Sequence, residues 1–291
     1  MHRFDYYTPR TVAEATDLLS TKGDGGKVLA GGTDLLPQMK ERGRHPKYIV
    51  SLKNVREIQQ VAFTPNQGLQ VGAGARFRAL QRDPIIQEQY PIIVQSAKLI
   101  GSIQTQNLAT IGGNVCNAAP SADAVPAFIV LDAQATIRGS KGARTLPLGD
   151  VFVGPGITVL GPDEVLEGLS VPVKLPRSAG VYLRHVPRKE LDIAIAGVGV
   201  YVQLDEGSQR FTHARVCLAS VAPTPLRATQ TEAALMGQAP SPELFQHAGE
   251  VAAGESRPIS DQRGGANFRR ALVKALTVKC LTQAVETIKG S

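Results

Sequence analysis

Cysteine is sparse in this 291-residue chain. The three cysteines, Cys116, Cys217 and Cys280, are odd in number and far apart, and no Cys-x-x-Cys pair occurs. That pattern argues against a zinc site or a cysteine-bound iron–sulfur cluster within the chain. Long apolar runs are missing too. The longest, Ile193 to Val202, contains two glycines and reaches about half the length a membrane helix needs, so it reads as a buried strand. No low-complexity tract or block of one charge is present, and order is expected almost throughout. The first residues, Met1-His2-Arg3-Phe4-Asp5, lack the charged-then-apolar pattern of a secretory signal. A cytoplasmic protein without a membrane span is the expectation. No acid–base pair or nucleophile stands out. His45, His185 and His213 have no second histidine or carboxylate at metal-ligand spacing, so they read as structural or surface residues and no metal site is expected.

What is present is ordinary for a soluble globular protein: 43% hydrophobic and 20% charged residues, in a length that allows one large domain or two to three smaller ones. The net charge is +7. Its densest positive group, Lys40, Arg42, Arg44 and Lys47, carries no interleaved aromatics and reads as a solvated face, so no nucleic-acid partner is expected.

Three blocks follow one another. In residues 1–57, Val12, Ala15, Leu18 and Leu19 have helical spacing, with Thr11 as N-cap and Glu14 three residues on. A strand at Lys27 to Ala30 enters the Gly31-Gly32 turn. A helix over Thr33 to Arg42, with Pro37 early in it, and a strand at Tyr48 to Leu52 complete the block. In residues 58–173 the pattern predicts strands at Leu69 to Gly72, Ala135 to Arg138 and Thr145 to Leu148. A helical segment from Pro84 to Ile100 is interrupted at Pro91. In residues 174–291, a linker at Lys174 to Gly180 precedes strands at Val181 to Val186, Ile193 to Leu204 and Thr212 to Val221. Helices end the chain, the last placing Phe268, Leu272, Ala275, Leu276 and Leu281 near one face. Three strands and then helices predict a separate α+β domain.

Chemistry concentrates at two double glycines. Leu29-Ala30-Gly31-Gly32-Thr33-Asp34-Leu35 runs from a strand through a turn into a helix. Glycine lets the backbone approach a ligand, and amides at a helix start form an anion-binding concavity suited to a diphosphate. No Gly-Lys-Ser/Thr follows, and the spacing misses Gly-x-Gly-x-x-Gly, so neither a P-loop nor a Rossmann site is supported. A tight strand-to-helix turn explains Gly31-Gly32 equally well. The second segment, Thr110-Ile111-Gly112-Gly113-Asn114, is followed by Asn117, Ser121 and Asp123. Two such loops could close on one extended phosphate-bearing ligand. Asp123 then reads either as an acceptor for ribose hydroxyls or as a helix N-cap.

Both segments, with Val115-Cys116-Asn117-Ala118-Ala119-Pro120-Ser121-Ala122-Asp123, resemble the FAD-binding subunit of the xanthine dehydrogenase and carbon monoxide dehydrogenase family. The resemblance continues through Asp163-Glu164-Val165-Leu166, through Leu183-Arg184-His185-Val186-Pro187-Arg188-Lys189-Glu190-Leu191-Asp192-Ile193-Ala194, and through Val221-Ala222-Pro223-Thr224-Pro225-Leu226-Arg227. It spans nearly the whole chain.

The resemblance implies an α+β chain. A two-subdomain FAD-binding fold of the p-cresol methylhydroxylase and vanillyl-alcohol-oxidase type (1–57 and 58–173) is followed by a C-terminal domain (174–291) with a three-stranded antiparallel sheet and helices. It implies noncovalent FAD, with Leu29, Ala30, Gly31, Gly32, Thr33, Asp34 and Leu35 along the diphosphate. Thr110, Gly112, Gly113, Asn114 and Asn117 make the second clamp. Asp123 is placed at the adenosine side or its ribose, and Ile100 and Leu166 at the flavin ring. Arg184 matches a position often lysine in the family, near the flavin; a surface cation is the other reading. Cys116 is a candidate for covalent flavin attachment, with a buried small residue favoured. The implied partners are a large molybdenum-cofactor subunit and a small subunit with two 2Fe–2S clusters, assembled as a dimer of heterotrimers. The chain would pass electrons to an external acceptor and carry no catalytic residue of its own. A freestanding FAD oxidase or dehydrogenase and a noncatalytic nucleotide-binding module are the competing readings.

Overall fold

Thr11 opens the first helix as its spacing predicts, its hydroxyl accepting the Glu14 amide at 3.1 Å. The computed structural model describes residues 2–188, 191–206 and 210–290. The chain begins with β1 (Asp5–Tyr7), α1 (Val12–Lys22), β2 (Gly26–Leu29), α2 (Leu35–Glu41) and β3 (Tyr48–Ser51). The three strands form a parallel sheet in the order β1-β3-β2. β3, in the middle, is buried at every residue. Val12, Ala15 and Leu19 of α1 close a small core with Tyr48, Val50 and Ile58. The helix expected from Thr33 starts two residues later, because Thr33 and Asp34 stay in the loop; Pro37 sits in its first turn, where its missing N–H costs nothing.

The second region holds β4 (Val61–Thr64), β5 (Gly68–Gly72) and six short helices. These are α3 (Phe77–Arg82), α4 (Pro84–Gln89), α5 (Pro91–Lys98), α6 (Ile103–Leu108), α7 (Ile111–Asn117) and α8 (Ala124–Val130). After them come β6 (Gln134–Gly139), β7 (Gly142–Pro147), the hairpin of β8 (Phe152–Gly154) and β9 (Ile157–Thr158), and β10 (Val165–Val171). Pro91 ends the expected helical segment at Tyr90 and starts a new helix, as its missing donor requires. The sheet is antiparallel in the order β4-β5-β10-β6-β7. Every residue of α8 is buried. A helix apolar all round must be covered on all sides, and α8 is covered by the third region.

That region contains β11 (Ser178–His185), β12 (Ala196–Leu204), β13 (Phe211–Ala219), β14 (Leu226–Arg227), α9 (Thr229–Leu235), α10 (Pro242–Glu255) and α11 (Ala266–Gly290). The sheet expected to have three strands has four. The two-residue β14 pairs with β13 through Leu226 and Arg227, and it is too short to show alternation in sequence. The strand expected from Ile193 begins at Ala196. One face of the sheet, with Val181, Val198, Val200, Val216 and Leu218, packs on α9 to α11. The other face, with Tyr182, Tyr201 and Cys217, joins the core of the second region, where α8 lies against β11, β12 and β13. In α11 the buried face is Val273, Leu276, Cys280, Leu281 and Ala284. Phe268 and Ala275, expected on that face, are exposed instead.

Gly197 leaves room for Tyr182 on the sheet face that joins the second region. A Cβ there would lie 2.6 Å from the Tyr182 hydroxyl. A Gly197→Val substitution is expected to lower stability by about 1–3 kcal/mol through overpacking, measured as a lower urea midpoint at unchanged m-value.

Candidate functional site

The loop after β2 turns at Gly32, whose φ of +76° is open to glycine and costly for any L side chain. Gly31 just before it has a different task. A Cβ on Gly31 would fall 2.2 Å from the Leu108 carbonyl oxygen and 2.9 Å from the Ala109 Cα. The first loop therefore rests directly on the backbone leading into the second. Among the described residues, no acceptor takes the amides of Gly31, Gly32, Thr33, Asp34 or Leu35. Five consecutive donors at a helix start form an anion cradle.

The second loop behaves differently. Ile111 donates to Ala75 O at 3.0 Å and Gly112 to Ala73 O at 2.8 Å. Gly113 donates to Thr110 Oγ1, and Asn114 to Thr110 O, each at 3.0 Å. Its amides are spent on the fold, so the expectation of two equivalent amide clamps is corrected. What this loop offers is side-chain chemistry and open space. Thr110 Oγ1 accepts from Gly113, which leaves its own O–H available to donate. Asn114 Oδ1 is buried without any partner, a costly state unless a ligand supplies one. The Cβ position at Gly113 meets only Thr110 Oγ1, at 3.1 Å, and is otherwise open, whereas at Gly112 it would strike the Ala73 backbone at 2.7 Å.

These loops form facing walls of a cleft of about 770 Å³ that all three regions line. Ala30, Gly31, Gly32, Thr33, Asp34 and Leu35 lie on it, as do Thr110, Gly112, Gly113, Asn114 and Asn117. Ile100, Asp123, Leu166 and Arg184 line it as well. Leu29 does not; it ends β2 behind the turn. Asn117 ties the walls together, donating to Asp34 Oδ1 at 3.2 Å and accepting from Gln38 Nε2 at 3.4 Å. Arg44, expected on a solvated face, also lines the cleft and donates to Gln38 Oε1 at 2.7 Å. Leu160 is a lining residue that the sequence did not single out.

At one end of the cleft Asp123 stands at the N-cap position of α8, but its side chain makes no capping bond. Tyr182 donates to its Oδ1 at 2.8 Å, and Arg184 Nη1 pairs with its Oδ2. Arg184 is only 7% exposed, which corrects the surface-cation reading. Burial pushes the Asp123 carboxyl up to about 6, against the pull of Arg184 and Tyr182. Tyr182 is the member that sequence missed. Cys116 is likewise not buried as favoured, because its side chain opens onto the cleft. Lys189 and Glu190, within the stretch after Arg184, lie outside the described residues.

No group of three or more His, Cys, Asp or Glu side chains that could hold a metal occurs among the described residues, and no helix there is long and apolar enough to cross a membrane. The family described as FAD binding domain in molybdopterin dehydrogenase matches residues 2–174. This chain belongs to that family. Residues 181–284 match the CO dehydrogenase flavoprotein C-terminal domain. The chain is 32% identical to the carbon monoxide dehydrogenase medium chain of Hydrogenophaga pseudoflava, over 97% of each chain. It is 30% identical to the putative xanthine dehydrogenase FAD-binding subunit of Escherichia coli K12, over 98% of this chain and 97% of that one. The structure of the Hydrogenophaga pseudoflava carbon monoxide dehydrogenase that lacks the Mo-pyranopterin moiety superposes with a TM-score of 0.93 at 33% identity, covering 99% of this chain and 98% of that one. Quinoline 2-oxidoreductase from Pseudomonas putida 86 gives a TM-score of 0.91 at 25% identity, with the same coverage.

The protein is thus an FAD subunit of a molybdenum hydroxylase, and its cleft suits FAD. Five unspent amides match a diphosphate, the orphaned Asn114 oxygen needs a donor, and Gly113 leaves the opposite wall open. A Gly113→Leu subunit is expected to fold with a stability within about 1 kcal/mol of the parent, yet to purify without its FAD, as visible absorbance reports. Gly112→Leu is expected to fail at folding instead. Asp123→Asn leaves a buried arginine without its counter-charge, and a loss of about 3–5 kcal/mol is expected in urea unfolding.

Proposed function

We propose that this FAD subunit relays electrons and does no chemistry on the substrate itself. It would receive them from two 2Fe–2S clusters on a small partner subunit and hand them to an external acceptor. A large subunit carrying the molybdenum cofactor would oxidise the substrate, and the whole would assemble as a dimer of heterotrimers in the cytoplasm. When bound, FAD supplies the conversion of one-electron delivery into two-electron output. The observation that carries this reading is the cradle of five amides facing Gly113 and Asn114 across one cleft.

Within it, the Gly31 to Leu35 amides and the Thr33 hydroxyl would hold the diphosphate. Thr110 and Asn114 would contribute one donor and one acceptor from the other wall. Ile100 and Leu166 would flank the ring with Arg184 near them; Asp123, expected on the adenosine side, would then stand at the ring end too, because Arg184 pairs with it. Three of the five carboxylates on the cleft pair with arginines: Asp123 with Arg184, Glu164 with Arg144 and Asp192 with Arg188. Glu164 and Asp192 are held below their ordinary range by those arginines. Those two carboxylates are therefore poor proton acceptors. The relatives named as medium or FAD subunits support the partner assignment.

Drawn from native extract by an affinity tag, the subunit is expected to bring two further chains, with molybdenum and iron by metal analysis. A single chain whose flavin bleaches with an organic substrate would identify a freestanding oxidase or dehydrogenase instead. A colourless one would identify a nucleotide-binding module.

A further inference from the structure

Tyr182 stands behind the cleft without lining it, yet it is tied to two residues that do. Its side chain is buried, and its hydroxyl donates to Asp123 Oδ1 at 2.8 Å. Arg184 follows two positions later on β11, so both side chains leave the same face of that strand. Arg184 Nη1 donates to Asp123 Oδ2. Each carboxylate oxygen is thus held from β11, which fixes the plane of the carboxyl group. Among the described residues, no acceptor takes the Nε or Nη2 of Arg184. Neither nitrogen is sealed off from solvent, and the residue lines the cleft, so those N–H groups open onto it. Around the trio, β12 presents Gly197, which pairs with Arg184 across the sheet and whose missing Cβ gives the Tyr182 hydroxyl its room. β13 presents Cys217, whose thiol burial keeps neutral. α5 presents the uncharged Gln95, which accepts from the Tyr182 amide at 3.2 Å.

We propose that Tyr182 is a positioning residue for the flavin: by donating to Asp123 it holds that carboxylate against Arg184, and so aims the arginine's free N–H groups and sets how much of its charge the ring meets. This rests on the ring lying at Arg184's end of the cleft. Paired with an ionised carboxylate, the guanidinium belongs to a neutral couple. Beside a protonated carboxyl it presents a full positive charge in a poorly solvated wall. Such a charge raises the midpoint potential of the flavin, because reduction adds negative charge. The Asp123 carboxyl stands at about 6, pushed up by burial and pulled down by Arg184 and by the Tyr182 hydrogen bond. Above that region the pair is neutral; below it Arg184 is uncompensated, and the potential gains an extra rise as pH falls. Removing the hydroxyl takes away a bond to the ionised form, so the carboxyl accepts its proton at a higher pH and the break in the potential moves up with it.

The test measures the midpoint potential of FAD bound to the full-length subunit, in excess FAD, on both sides of that pH. Tyr182→Phe removes the hydroxyl and keeps the ring. Gly197→Ala places a Cβ where the hydroxyl sits and removes no polar group. Each is expected to move the break upward by about one pH unit, the worth of one hydrogen bond to a charged group. Tyr201→Phe takes a different buried hydroxyl from the same sheet, one bonded to Ser178 and Leu175. It is expected to lower the urea midpoint and leave the break where the parent has it. Arg184→Gln removes the charge and is expected to lower the potential on the acid side. If Arg184→Gln does so while the break stays put in Tyr182→Phe and Gly197→Ala, the positioning role is overturned and the ring placement stands. An equal shift in Tyr201→Phe also overturns it, since any lost buried hydroxyl would then suffice. An acid-side potential that Arg184→Gln leaves unchanged puts the ring elsewhere, and the role of Tyr182 falls with that placement.

Discussion

The contact between Gly31 and the Leu108–Ala109 backbone is the constraint on which the site depends. The obstacle to a side chain at residue 31 is a carbonyl and a Cα, neither of which can rotate away. Only a residue without a Cβ lets the parallel sheet of the first region close against the helices of the second. That closure aims the amides of the first loop across the cleft at Gly113 and Asn114. Asn117, reaching both Asp34 and Gln38, fixes the angle at which the two walls meet.

Two loops that look alike in sequence divide the labour. The first keeps its donors unspent and stays poised for an anion. The second commits each of its amides to the turn after β5 or to Thr110, and gains rigidity. A buried ion pair, Asp123 with Arg184, then joins the cofactor half to the C-terminal half. Such a pair gives little net stability, since desolvation offsets its attraction, but it penalises any arrangement that separates the partners. Tyr182 occupies the remaining carboxylate oxygen, in space that Gly197 leaves vacant.

Features governed by local chemistry were legible in the sequence. The Thr11 cap, the break at Pro91 and the strand–glycine–helix order around Gly31 follow from properties of single residues and short spacings. The two-loop site was legible as a resemblance, because paired motifs at that separation are specific where each alone is not. What escaped was decided at long range. Asp123 and Arg184 are sixty-one positions apart, and nothing local marks either as the other's partner. α6 and α7 are too short to show a period, and α7 carries two glycines that weaken any helical signal. The distinct tasks of Gly112 and Gly113 depend on what lies across from each. Phe268 misled for a related reason: an apolar residue in register with a buried face can still fall beyond the end of what that face covers.

The sealed position of α8 bears on how this lineage can change. The chain matches two separately recognised domains, yet α8 belongs to the first and is roofed by the sheet of the second. A recombination event at the stretch near Lys174 would pair an apolar helix with a foreign roof. The halves therefore inherit one another's mutations: a larger side chain under β12 must be answered by a smaller one on α8. The boundary visible in the sequence is a seam in ancestry and not a line along which the molecule can be parted.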